Sequence, residues 1–419
     1  MTAVTSPASL RLFEGYGVEI EYMIVDAETL SVRPIADDLL DAVGGNEDGD
    51  FRSDGMVWSN EIGLHVLELK VAEPSPSLGS LGAGFQAQVV RVNDSLRPFG
   101  ARLLPTGMHP WMDPATELRL WPHANSPVYR TFDRIFACRG HGWGNHQATH
   151  LSLPFGGDAE FGRLHAAVRL VLPILPGLAA SSPFFDGARG EHLDSRLEVY
   201  RKNSRRVPSV SGQVVPEPVF TRRDYEERLL GRIYEDLAPL DPEGVIQHEW
   251  VNARGCIARF SRMTIEIRIL DVQECPAADL AVVGATASVV RAMVEEAWCN
   301  TKSQRKWDER ELAGVLHGAI RDADESVIES RAFLEAFGYP ERGRARIRDL
   351  WQHLVETVVS EDPSYDEWDR PLRLILDEGC LARRIARAVG EGASRSRLQT
   401  VYAELAECLA DGELFRAGA

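Results

Sequence analysis

The chain has 419 residues, of which 44% are hydrophobic and 26% charged, an ordinary globular composition with length for one large domain or two smaller ones. Its 46 Lys+Arg against 63 Asp+Glu give a formal charge of -17, which argues against nucleic acid or an anionic membrane surface as the main partner. An anionic ligand would need local help from arginines or a metal.

Six scattered cysteines, Cys138, Cys256, Cys275, Cys299, Cys380 and Cys408, form no CxxC pair and follow no secretory signal. They read as reduced thiols in a cytoplasm. No apolar run is read as approaching the roughly 20 residues a membrane helix needs. Residues 1–13 read as a flexible tail and 14–419 as a single catalytic domain, sheet-rich over 14–275 and helical over 276–419.

The first element is a strand over Tyr16 to Asp26. Side chains alternate along a strand, so Glu19 and Glu21 share one face and Val18, Ile20, Tyr22 and Ile24 the other. A helix is expected over Pro34 to Val43, a Gly/Asp-rich loop over Gly44 to Gly55, and a hairpin over Met56 to Val71 with Glu61 on its first arm and Glu68 on its second. Glu68 and Lys70 oppose Leu67, Leu69 and Val71. Leu78 to Leu96 has helical spacing, and Leu103 to Pro110 reads as a short buried strand running into a loop. Tyr129 to Phe136 is helical, and Arg139 to Asn145 leads into a strand that puts His150 and Ser152 opposite Leu151 and Leu153. After a helix over Phe161 to Leu175, the stretch from Gly190 to Glu217 gathers Arg196, Arg201, Lys202, Arg205 and Arg206, a local reversal of charge suited to phosphates or a carboxylate. Met263 to Asp271 places Thr264, Glu266 and Arg268 opposite Ile265, Ile267 and Ile269. Six helices follow, over Ala278 to Cys299, Glu309 to Ala323, Ser326 to Phe337, Ala345 to Val359, Pro371 to Val389 and Arg395 to Leu409.

If the four strands share a sheet, one face is aliphatic and the other carries the chemistry. An E-x-E strand beside a second acidic strand can hold several hard oxygen ligands around magnesium, with Glu19, Glu21, Glu68 and Glu266 as the candidates, or it can be the solvated face of an amphipathic sheet. Glu266 with Arg268 is a structural ion pair or a phosphate clamp. His150 is a base, a positioning donor or a satisfied half-buried histidine. Gly142, Gly144 and Asn145 break any zinc spacing among His141, His146 and His150, and there is neither a GxSxG elbow nor a P-loop.

In order along the chain, these motifs resemble the glutamate-cysteine ligase family of plant and bacterial type, with its carboxylate-amine ligase relatives, in the glutamine-synthetase-like superfamily. The resemblance is carried by Gly17-Val18-Glu19-Ile20-Glu21-Tyr22, Glu61, Glu68-Leu69-Lys70, Gly107-Met108-His109-Pro110, the histidine strand, Ser181 to Phe184 with Gly187, Ser195-Arg196, and Thr264 to Arg268 with Asp271. It covers residues 14 to 300, with a softer echo over Glu378 to Ile385. It implies an α+β fold in which an antiparallel sheet curves into a funnel with helices outside, and ATP and Mg2+ in its mouth. The implied reaction passes the γ-phosphoryl of ATP to a carboxylate, and an amine attacks the acyl phosphate to give an amide.

By this resemblance Glu19, Glu21, Glu68 and Glu266 hold metal, and Arg268, with Lys70, contacts nucleotide phosphate. Glu266 and Arg268 are the catalytic pair. Arg196 binds the acceptor's carboxylate, and His150, Ser152 and Glu61 line the substrate pocket. Ile20 replaces a family glutamate, Lys70 an arginine and Ser152 a histidine, which bears on the substrate more than on the ATP chemistry. The partners implied are small molecules, glutamate as acid and cysteine as amine, with a homo-oligomer compatible. A ligase for another acid or amine, or a non-catalytic relative of the fold, are the alternatives.

Overall fold

The computed structural model describes residues 10–418 apart from 47, 341 and 342. Residues 1–9 of the expected tail lie outside the described residues. Residues 10–13 are tied down: Leu12 and Phe13 pack on the core, and Arg11 donates to Glu160 at 2.6 Å.

Eight strands form one antiparallel sheet: β1 (Gly17–Asp26), β2 (Phe51–Ser53), β3 (Met56–Asn60), β4 (Val66–Val71), β5 (Ala101–Leu104), β6 (Ala148–Pro154), and, after the short hairpin β7 (Phe184–Phe185) and β8 (Ala188–Arg189), β9 (Cys256–Arg259) and β10 (Thr264–Asp271). The order is β2-β3-β4-β1-β6-β10-β9, with β5 beside the far half of β1. All four strands expected to share a sheet do so, adjacent to one another. Val18, Ile20, Leu67, Leu69, Leu151, Leu153, Ile265 and Ile267 lie on one face and are fully buried. Period-two alternation produces that face, and the apolar stripes of helices Leu81–Leu96, Asp158–Val171 and Pro276–Val294 join it in one continuous core.

Several local expectations are corrected. The Gly/Asp loop contains β2. Glu61 follows β3 in the connection to β4 and is not on the hairpin's arm, so it is freed from the pleat. The expected 371–389 helix is two helices, Tyr365–Glu378 and Leu381–Val389, broken at Gly379, whose φ of 93° is costly for any residue with a Cβ. The arginine-rich stretch holds a helix, Ser195–Tyr200, whose N-terminus Asp194 caps by accepting from Leu197 N at 2.8 Å. Among the described residues one helix, Pro276–Val294, is long and apolar enough to cross a membrane, contrary to the sequence reading. It is a core helix, 89% buried in the fold.

The helical half is pinned to the sheet-rich half by charge as well as packing. Arg384 and Glu274, both fully buried, pair at 2.6 Å, and Arg384 also donates to the Phe415 carbonyl.

Candidate active site

The polar face of the sheet is set by register. Glu19 lies opposite Lys70 and His150, Glu21 opposite Glu68, and Glu266 opposite Ser152. Residues directly opposite on an antiparallel pair share a face, so carboxylates from β1, β4 and β10 converge beside a histidine from β6.

Strict alternation along β10 would send Asp271 to the aliphatic side. A bulge between Ile267 and Leu270 adds one residue and turns Asp271 onto the polar face. There it pairs with Arg196 Nε in full burial and accepts from Ser182 Oγ at 2.7 Å and Ser181 N at 2.9 Å. A Cβ on Gly107 would stand 2.5 Å from the Asp271 carboxyl carbon, so only glycine lets that backbone approach.

Glu68 Oε1 accepts from Lys70 Nζ at 2.6 Å and from Ser59 Oγ at 3.0 Å. His150 Nδ1 stands 3.3 Å from Glu19 Oε2, and Ala148 N donates to Glu21 at 2.8 Å. Glu266 accepts from Arg268 Nη2 at 2.6 Å and from Arg259 Nη1 at 3.1 Å.

The electrostatics follow from burial and crowding. Burial and the neighbouring Glu19 push the Glu68 carboxyl up to about 8, and burial with Glu21 pushes Glu61 up to about 7. Burial would also raise Glu19, but the hydrogen bond and charge of His150, with the charge of Lys70, hold it well below the usual carboxylate range. For His150, burial works against the charged form, and Glu19, Glu21 and Glu266 outweigh it to raise the ring to about 9.

Two groups bring ligand atoms within 4.8 Å of one another: Glu19, Glu68 and His150, and Glu21, Glu61 and Glu68. Buried carboxylates that resist ionising together, offering hard oxygen donors, fit a magnesium-type cation, whose charge would replace protons. Glu266, expected as a fourth ligand, stands in neither group and is held by two arginines.

Three cavities meet this face. An outer one of ≈ 490 Å³ contains Glu19, Glu61, Glu68, Lys70, Glu266 and Arg268, with Arg259 and Arg262. An inner one of ≈ 200 Å³ joins it at Glu61, His150 and Arg268, and runs to Arg196, Tyr200 and His146. A third, ≈ 310 Å³, is an apolar slot of Leu10, Val18, Val71, Ala72, Pro74 and Met263 that reaches Glu19 and Arg262. Ser152 lines this slot. It was expected beside His150 in the substrate pocket, but the two face different cavities because they stand two residues, one pleat repeat, apart on β6.

Of the expected basic group, Arg196 lines the inner cavity. Arg201 and Lys202 pair with Glu198, and Arg206 caps the carbonyls of Arg134 and Ile135. The sequence reading missed Arg259, Arg262, His146, Tyr200 and the aromatic residues Tyr129, Phe132, Trp143 and Trp250. β9 is four residues long, too short for its alternation to register, and the aromatics sit on helices and loops.

With that geometry in place, comparison with known proteins gives the class. The chain belongs to glutamate-cysteine ligase family 2 (GCS2), whose model matches residues 16–404, and so to the ligases that join carboxylates to amines through carbon–nitrogen bonds. It is 30% identical over 95% of its length to an uncharacterized protein of Archaeoglobus fulgidus, 99% of which is covered. In fold it is similar to the glutamate–cysteine ligase of Francisella tularensis, crystallised in complex with AMP, at TM-score 0.60 and 12% identity, covering 96% of this chain and 90% of that one. It is also similar to the bifunctional glutathione synthetase of Pasteurella multocida at TM-score 0.58 and 15% identity, covering 96% of this chain but only 52% of that one.

Proposed function

We propose that this ligase is ATP- and Mg2+-dependent and acts through an acyl phosphate, with glutamate, which the family's name suggests, as the acid. The observation that carries the proposal is the meeting of three cavities at one cluster of carboxylates and arginines, since joining two anions requires offsetting charge where they touch. AMP in the Francisella enzyme supports nucleotide use.

On this reading the adenine enters the apolar slot, and Arg262, exposed and paired with no carboxylate among the described residues, guides the phosphates into the outer cavity. Glu19, Glu21, Glu61 and Glu68 hold the metal, which supplies charge neutralisation to the phosphates. Arg268, at the junction, contacts the transferring phosphoryl, and Glu266 fixes its fork. The acid lies in the inner cavity. Arg196 Nη2 is buried there without a hydrogen-bond partner among the described residues, with the Tyr200 hydroxyl and the His146 ring lining the same cavity. That unpaired guanidinium N–H complements a carboxylate that does not react. Burial and Arg196 hold His146 down at about 3, so it is neutral and offers one donor.

In the first step an oxygen of the reacting carboxylate attacks the γ-phosphorus and the bond to ADP breaks. In the second the amine lone pair attacks the acyl carbon, inorganic phosphate leaves with the bonding pair, and the amine gives up a proton to water. Formation of a hydroxamate and ADP from ATP, L-glutamate and hydroxylamine with Mg2+ tests the proposal. No hydroxamate with L-glutamate or any other dicarboxylic amino acid rejects it.

A further inference from the structure

Where the inner and outer cavities meet, the wall facing the carboxylate cluster is aromatic. Tyr129, Phe132 and Trp250 line both cavities, and Trp143 extends the wall inward. The rings brace one another: Phe132 lies 5.1 Å from Trp143 and 5.9 Å from Trp250 between centroids, Trp143 stacks on Phe136, and Trp250 stacks on His248. Ile62, Val251 and Ala253 fill the remainder.

The Trp143 N–H of this wall is committed, and the Tyr129 hydroxyl is engaged as an acceptor. Asn60 donates to the Tyr129 hydroxyl at 3.1 Å, and the Trp143 N–H donates to the Asn203 carbonyl at 3.3 Å. The rest of the wall is aromatic and aliphatic carbon. Of the cations, His150 and Arg268 line both cavities with these rings, Arg196 lines the inner one, and Lys70, Arg259 and Arg262 line the outer one where phosphates go.

An attacking amine must reach the junction, and the acid and the nucleotide occupy the floor and the outer cavity. Its substituent therefore rests on the aromatic wall. Resting on the ligase reading above, we infer that the amine substrate carries an apolar, arylalkyl or branched-alkyl substituent. The short side chain of cysteine would leave most of this wall uncovered, whereas an arylalkyl or branched-alkyl stem buries its carbon against it.

The test uses the full-length enzyme with ATP, Mg2+ and L-glutamate and compares three amines. Hydroxylamine, small and indifferent to the wall, reports acyl-phosphate formation. 2-Phenylethylamine and L-cysteine report the amine site. We expect kcat/KM for 2-phenylethylamine to exceed that for cysteine about tenfold or more, the scale of an apolar pocket's discrimination. Trp250→Ala should narrow the ratio of 2-phenylethylamine to hydroxylamine. A cysteine rate equal to or above that of 2-phenylethylamine, with hydroxamate formed normally, overturns the inference and leaves the ligase reading standing. Absence of hydroxamate overturns both.

Discussion

Glu21 on β1 and Glu68 on β4 stand directly opposite each other on the same face of the sheet. Like charges in that relation destabilise a sheet by up to about 1 kcal/mol, and burial adds to the penalty. On the proposed reading, a cation held between them offsets that repulsion.

Mg2+ should therefore raise the thermal midpoint, with about 2.7 kcal/mol of stabilisation at a hundredfold excess over its dissociation constant. Glu68→Gln should raise the midpoint without metal and remove the response to it, as read by scanning calorimetry with and without Mg2+. An unchanged Mg2+ response in Glu68→Gln would show that the ion binds elsewhere.

Glu266 holds Arg259 and Arg268 together while only 3% exposed in its side chain. Glu266→Gln is thus expected to lose turnover and stability together, because it leaves two partly buried guanidiniums underpaired, by about 3 kcal/mol. Arg268→Lys should keep the fold yet lose on the order of 100-fold in kcat, since a point charge cannot replace a planar fork. Chemical denaturation alongside steady-state kinetics separates the two variants.

Arg262 bridges the apolar slot and the outer cavity. Losing a charged phosphate contact of about 1.5 kcal/mol, Arg262→Ala should raise KM for ATP roughly tenfold with KM for the acid unchanged. A change confined to the acid would reverse the assignment of the two cavities.

Asp271→Asn should destabilise by about 3 to 5 kcal/mol, because Arg196 would be left buried against a neutral partner. Urea unfolding monitored by fluorescence gives the value. The same change frees the guanidinium that faces the inner cavity, so KM for the acid should rise as well.

His165 is fully buried, stacks on Phe161, and lies 2.7 Å from the Val219 carbonyl. Burial and the nearby Arg169 hold it down at about 3, against roughly 6.5 in an unfolded chain. Between those values the unfolded state binds a proton that the folded state refuses, so this contribution is whole above pH 6.5 and is lost as pH falls toward 3. His165→Phe should flatten the acid limb of stability against pH by up to about 1.4 kcal/mol per pH unit in that window.

The carboxylate pairs were legible because alternation is local: Glu19 with Glu21, Glu68 with Lys70, and Glu266 with Arg268 each share a face whatever the strand is paired with. Ser152 shows where that logic stops. It shares a face with His150 as expected, yet which cavity each meets depends on the neighbouring strands and on the segments lying over them. The arginine cluster shows the same limit, since proximity along the chain put Arg196 beside Arg201 and a helix then turned them apart.

The sequence by itself determined which side chains could work together within a strand, and through the ordered motifs it determined the family. Only the tertiary structure decided that β1 lies between β4 and β6, that a bulge turns Asp271 to the polar face, and that helix and loop aromatics close the junction. Those outcomes depend on register and on contacts between residues distant in sequence, and a period of two carries no information about either.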